Sequence, residues 1–324
     1  MAINEASFET SVAAYTAPAT QTRTWLGLMV VLWGLSWPAT HIALSSVPPL
    51  WLAAIRFGSG GAVLFAFVAI RGQLVLPARG DVPIVLSVGL LQMMAFTGLG
   101  MIAMTRTDTS HAVLLAYSTP LWSALIGAVF LRRMPTHGQA VALALGLAGV
   151  ALIVSPLELD WSAPGTMRGA AFLIAAAICW SIVILHVRCH RWQGSPLSLA
   201  PWQMLVATIP LAGLAFHVHG APVGLNMKVE LLGLLTFIGP VATSACFVIS
   251  SEHGRRITPF AMSNVTLGVP VLGVAFSVLL LGNDLSPIFM AGLVMVVLGM
   301  ALSAHDARGG PAKMPGRRSP LPPS

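Results

Sequence analysis

Charge is what this sequence has least of. Asp, Glu, Lys and Arg make up 8% of its 324 residues, against 56% hydrophobic ones, whereas a soluble domain carries about a quarter charged side chains. So little polar surface cannot coat a water-soluble globule of this size, which leaves a chain dissolved in lipid. Lysine is nearly missing: Lys228 and Lys313 are the two present, and no Gly-x-x-x-x-Gly-Lys loop occurs. ATP use by that phosphate-cradling route is thereby excluded. Cys179, Cys189 and Cys246 form no Cys-x-x-Cys pair, so neither a disulfide framework nor a redox pair can be read. The absence of His-Glu-x-x-His, Gly-x-Ser-x-Gly and paired acids disfavours an intramembrane enzyme, and the absence of a charged ring or filter sequence disfavours a channel. His186 and His190, with Cys189 between them, have a metal-gripping helical spacing, but no third ligand accompanies them. No metal or cofactor is expected.

What is abundant is apolar length. A hydrocarbon core of about 30 Å needs roughly 20 apolar helical residues. Ten segments qualify: 24–44, 50–70, 83–104, 110–131, 138–155, 167–187, 198–217, 231–251, 258–281 and 286–303. Residues 1–22 read as a polar amino-terminal arm and 304–324 as a disordered basic tail. The excess of basic residues, +7 overall, reports orientation rather than a nucleic-acid partner. With the amino terminus inside, Arg23, Arg71, Arg79, Arg132, Arg133, Arg188, Arg191, Arg255, Arg256, Arg308, Lys313, Arg317 and Arg318 fall on the inner side. Only Arg106, Arg168 and Lys228 fall outside, and Arg56 lies within a span. Both termini are therefore expected in the cytoplasm of a bacterial cell, with the chain in the inner membrane.

A repeat then emerges. Pro120 and Pro270 are 150 residues apart, as are Gly149 and Gly299, and Leu152 and Leu302; Trp37 answers Trp180. Residues 23–156 and 157–303 thus read as two five-helix halves. An odd number of spans per half inserts the second copy upside down, so the expected fold is an all-α membrane protein of ten transmembrane helices in two inverted repeats, the usual basis of alternating access.

Trp33-Gly34, Trp180, the Pro-centred fourth and ninth spans, and the closing Gly149-Val150-Ala151-Leu152 and Gly299-Met300-Ala301-Leu302 together resemble the drug/metabolite transporter superfamily. The resemblance is to its ten-helix bacterial exporters built from two EamA-type halves, and it covers about residues 24–303. It implies a secondary exporter of small organic metabolites. Where that family often has Gly-Glu after the fourth and ninth helices, this chain has Arg132-Arg133 and Gly282-Asn283, so no role for that glutamate is carried over.

Polar groups in lipid are costly and therefore mark candidate pathway residues. Arg56, with Gln203 at the matching repeat position, reads either as an anchor for a substrate carboxylate or as a side chain snorkelling to head groups. Trp33, Trp37 and His41 form one helical stripe, with Trp180 as repeat partner; the stripe lines a cavity or serves helix packing. In the fourth span Asp108 reads as a helix cap. His111, Tyr117, Ser118 and Trp122 follow nearly one face, and His111 is placed to titrate near neutral pH if that face lines the pathway. Gln92, Thr236, Thr243, Ser250, Ser263 and Asn264 either bond a solute or act as interhelical glue. Pro120 and Pro270 are candidate gating hinges. The small faces of Ala142, Gly146, Gly149, Gly292 and Gly299 suit scaffolding or a homodimer contact. Amino acids or related zwitterions are the favoured solutes, on the resemblance together with Arg56 and the aromatic stripes. Drugs, organic cations and nucleobase-type solutes remain as alternatives, as does a non-transporting receptor.

Overall fold

The computed structural model describes residues 19–129, 136–222, 228–254, 256–257, 262 and 265–306. Asn264, Ser263, Arg132-Arg133, most of the amino-terminal arm and most of the carboxy-terminal tail lie outside the described residues. Among the described residues ten apolar helices follow in order: α1 Ala19–Leu44, α2 Pro49–Ile70, α3 Val82–Met104, α4 Thr109–Val129, α5 His137–Val154, α6 Thr166–Cys189, α7 Pro196–His219, α8 Val229–Gly254, α9 Gly268–Leu281 and α10 Pro287–Asp306. Helix is the only answer available to these runs, because lipid offers no partner for a free backbone N–H or C=O. The starts are chemically specified. Asp108 caps α4 by accepting from the His111 N–H at 3.0 Å, Thr136 and Gln139 form a capping box on α5, and Ser195 caps α7 ahead of Pro196. At the end of α9, Gly282 takes the left-handed conformation at φ 69°, which a residue with a Cβ adopts only under strain.

Packing repeats as the sequence does. α1 lies on α9 as α6 lies on α4, α2 on α8 as α7 on α3, and α1 on α8 as α6 on α3. The remaining major pairs join equivalents: α2 with α7, α4 with α9, and α5 with α10. Equivalent helices run antiparallel. Gly149 abuts Gly292 while Gly146 abuts Gly299, and Gly58 faces Thr208 while Gly61 faces Met204. Two copies whose matching helices point in opposite directions are inverted repeats.

Two departures from regular helix were not legible beforehand. α3 and α8 each contain a nine-residue π-helical stretch, Val88–Phe96 and Phe237–Ala245. Gly89 and Gly239, separated by the same 150-residue offset, sit where each stretch presses on the opposite half. A Cβ on Gly89 would lie 2.8 Å from the Gln203 carbonyl, and one on Gly239 would lie 3.0 Å from the Arg56 carbonyl. In α4 the chain breaks at Tyr117–Ser118, so Pro120 falls in the first turn of the segment Thr119–Val129 rather than in mid-helix. Its missing N–H costs little there. Pro270 likewise occupies the first turn of the described α9.

Candidate functional site

Between the halves lies a cavity of about 290 Å³. Its walls come from α1 (Trp33, Ser36, Trp37, Thr40), α2 (Arg56, Phe57), the π-helical parts of α3 and α8, the break in α4 (Tyr117), α6 (Trp180) and α7 (Gln203, Met204). Helix period sets the α1 face: residues four apart share one side, so Trp33 and Trp37 point inward together. The Trp33 indole N–H donates to the Ala242 carbonyl at 2.9 Å, satisfying an acceptor in the π segment of α8. Tyr117 forms the centre of an aromatic wall, 6.0 Å from the rings of both Trp37 and Trp180, and Phe96 meets Trp180 edge-on at 4.7 Å. Such tilted ring pairs present both faces and edges to a solute.

Among the described lining residues, Arg56 carries the sole formal charge. Its Nε donates to the Thr243 hydroxyl at 2.8 Å. That hydroxyl in turn donates to the Ile238 carbonyl five residues back, also at 2.8 Å, an acceptor brought within reach by the π-helical winding. With Nε held, the terminal nitrogens of the guanidinium remain for a ligand. Gln203 lines the same cavity from the repeat-equivalent helix, and Gln92 adds an amide from α3.

Eight sequence candidates thus meet at one cavity: Trp33, Trp37, Arg56, Gln92, Tyr117, Trp180, Gln203 and Thr243. His111 and Ser118 are placed elsewhere. His111 is buried at the start of α4, with Nδ1 2.7 Å from Asp108 and Nε2 3.2 Å from Glu158. The Ser118 hydroxyl donates to the Leu115 carbonyl at 2.6 Å and accepts from Trp122 at 2.9 Å, bridging the break in α4. His41 is not among the lining residues, and its Nδ1 is buried without a hydrogen-bond partner. Met93, Phe96, Met101, Met104, Trp192 and Phe247 also line the cavity; nothing in their sequence context separates them from ordinary core. Among the described residues no three of His, Cys, Asp and Glu gather closely enough to hold a metal.

The family model for the EamA-like transporter family matches residues 23–155 and again 167–304. The chain belongs to the EamA-like transporter family. Relatives include the "Probable amino-acid metabolite efflux pump" of Escherichia coli K12, 27% identical over 87% of this chain and 94% of its own length. Its namesake in Salmonella typhimurium LT2 is 26% identical over the same shares. The "Uncharacterized inner membrane transporter YedA" of Escherichia coli K12 is 25% identical over 85% of this chain and 87% of its own length. A solved structure titled "Crystal structure of protein" shares the fold, with a TM-score of 0.58 and 24% identity over 90% of this chain and 99% of that one. This EamA-type chain is therefore a multi-pass membrane transporter of the drug/metabolite superfamily rather than an enzyme.

Proposed function

We propose that the protein exports small metabolites bearing a carboxylate, amino acids or related zwitterions foremost, by alternating access of its inverted halves, with both termini in the cytoplasm. The observation that carries this reading is Arg56, the sole formal charge among the described residues lining a cavity otherwise walled by aromatic, apolar and neutral polar side chains. A guanidinium with free terminal nitrogens holds a carboxylate through paired charge-assisted hydrogen bonds. The aromatic wall of Trp37, Tyr117 and Trp180 suits an apolar or aromatic side chain, or a cationic ammonium group over a ring face. Two relatives carry names as amino-acid metabolite efflux pumps, and the excess of Lys and Arg on one side supports the orientation. In this scheme the π-helical stretches of α3 and α8 and the Pro120 and Pro270 turns supply the equivalent flexible points of the two halves.

Counterflow in proteoliposomes tests it, with labelled amino acids, nucleobases and organic cations offered to wild type and Arg56→Ala. Carboxylate-bearing solutes are expected to exchange in wild type and to lose about 10-fold or more in the variant, the worth of a charge-assisted bond of ~1.5–3 kcal/mol. Equal loss for cations, or cation exchange alone in wild type, overturns the carboxylate assignment.

A further inference from the structure

Inverted halves make the two ends of the bundle comparable position by position, and the two ends are closed differently. At the end proposed as cytoplasmic, the α2–α3 connection meets the α6–α7 connection. At the opposite end the equivalent pair is the α7–α8 connection and the α1–α2 connection. One tie is common to both: Trp202 of α7 donates to the Val75 carbonyl at 2.9 Å, and Trp51 of α2 donates to the Gly220 carbonyl at 3.1 Å.

Among the described residues, a second tie joins the two connections at the first end alone. Asp81, the last residue before α3, is wholly buried. It accepts from His190 Nε2 at 2.8 Å and from the backbone N–H groups of Gln193 and Gly194 at 3.1 and 2.7 Å. The approach is close, for a Cβ on Gly80 would lie 2.5 Å from the Gln193 side-chain nitrogen. The residue holding the same place before α8 is Lys228, opposite in charge and exposed. It borders a cleft of about 230 Å³ whose other walls include Ser45 and Ser46 of the α1–α2 connection and Glu230.

The tied connection is also a wall of the solute cavity. Trp192, between His190 and Gln193, lines that cavity together with Val187 and Pro196, and the His190 ring meets Trp192 edge-on at 5.2 Å. Movement of residues 190–194 away from Asp81 therefore takes Trp192 out of the wall and opens the cavity toward this end. Three hydrogen bonds to one buried carboxylate oppose that movement, because a buried ion stripped of partners is costly.

We infer that Asp81, His190 and the Gln193–Gly194 backbone are the latch of the cytoplasmic gate, made in this structure and broken whenever the cavity opens inward. This rests on the alternating-access reading above. The halves exchange conformations between the two states, so opening at the latched end closes the cleft between Ser45–Ser46 and Lys228–Glu230. A lysine in the place of Asp81 accepts no N–H bond, so the outer end closes without an equivalent of the latch. The latch therefore biases the protein toward the outward-facing state, with Asp81 and His190 as positioning residues that never touch the solute.

The test reads distances at both ends of the full chain in liposomes at one fixed pH, with Cys179, Cys189 and Cys246 replaced by alanine. One pair of nitroxide labels is carried on cysteines introduced at Arg79 and Arg191, the other at Ser46 and Val229, all four positions being exposed. His190→Leu removes one donor from Asp81 and leaves the two backbone ones, whereas His190→Gln restores a donor. In the leucine variant the ratio of inward-open to outward-open protein, read as a longer inner and a shorter outer distance, should rise about 10-fold, the worth of one charge-assisted hydrogen bond, and should fall back in the glutamine variant. A longer inner distance with the outer pair unmoved reduces the contact to local structure and overturns the inference, as does no change at either pair.

Should His190→Leu not fold, a second measurement decides. Gly80→Cys with Gln193→Cys, bridged by a short bis-methanethiosulfonate, holds the latch shut, so counterflow should stop and return on reduction. Exchange that continues through the bridge overturns the inference. The distances are read without solute. A wild type that exchanges no solute while its ends still move in opposition removes the transport reading and leaves the latch standing.

Discussion

Asp81 and His190, 109 positions apart in sequence, meet with Oδ1 and Nε2 2.8 Å from each other. Asp81 is wholly buried and also accepts the backbone N–H groups of Gln193 and Gly194 at 3.1 and 2.7 Å. This ties the α2–α3 connection to the α6–α7 connection at the end of the bundle that also carries the Arg71–Glu252 bridge. Burial pushes the Asp81 carboxyl up, but the bonds from His190, Gln193 and Gly194 outweigh it and hold its pKa below the ordinary carboxylate value.

The first prediction follows from that knot. A carboxyl with a depressed folded pKa stabilises above its unfolded value of about 3.9, and the gain is lost as pH falls through the folded value. Thermal unfolding in detergent should therefore show stability falling below about pH 4. Asp81→Ala should cost about 3–5 kcal/mol at neutral pH, because it strands His190 and two buried N–H groups, and it should flatten the acid limb. An unaltered acid limb in the variant would show that another carboxylate governs it.

The α5–α10 crossing yields a contrast in sign. A Cβ on Gly149 would lie 2.8 Å from the Gly292 carbonyl, whereas one on Gly233 of α8 meets nothing within 4 Å. Gly149→Ala should destabilise by about 1–3 kcal/mol through overpacking. Gly233→Ala should leave stability unchanged or raise it by about 0.5–1 kcal/mol, since alanine loses less backbone freedom in a helix. Unfolding midpoints of the two purified variants decide this, and equal shifts would contradict the close approach.

Thr243 acts through Arg56. Thr243→Val removes the acceptor for Arg56 Nε while keeping the shape, and Thr243→Ser keeps the hydroxyl. Counterflow of carboxylate solutes should fall about 10-fold in the valine variant, on the order of a charge-assisted hydrogen bond of ~1.5 kcal/mol, and recover in the serine one. A loss of the same size for solutes without a carboxylate would mean that Thr243 supports the π-helical winding rather than the guanidinium.

Trp33→Phe retains the aromatic ring and removes its donor, leaving the Ala242 carbonyl without the indole bond of 2.9 Å. A cost of about 1 kcal/mol in stability is expected. Because Ala242 belongs to the π segment, amide exchange in Phe237–Ala245 should accelerate more than in the equivalent Val88–Phe96. Equal acceleration in both stretches would argue for global loosening.

Much of the architecture was written in residue order. Apolar runs of span length have only helix open to them in lipid, and the 150-residue recurrence of Pro120 at Pro270 and Gly149 at Gly299 implies two copies whose odd span count inverts one of them. Trp33 and Trp37 were assignable to one face by helical period, and Arg56 by the cost of a charge in hydrocarbon. Residue order could not place His111, because its partners Glu158 and Ser286 arrive from connections far along the chain, and a lone histidine reads the same whether it lines a pathway or sits in a cluster.

What the sequence determined by itself was therefore the lipid-borne class, the helix count and the inversion, since each depends on composition, span length or a recurrence read along the chain. Tertiary structure decided which polar groups share a space. The cavity around Arg56 and Thr243, the Asp81–His190 knot and the π-helical winding at Gly89 and Gly239 all arise where one half presses on the other. Contacts of that kind depend on how helices distant in sequence pack in three dimensions, and no local pattern encodes them.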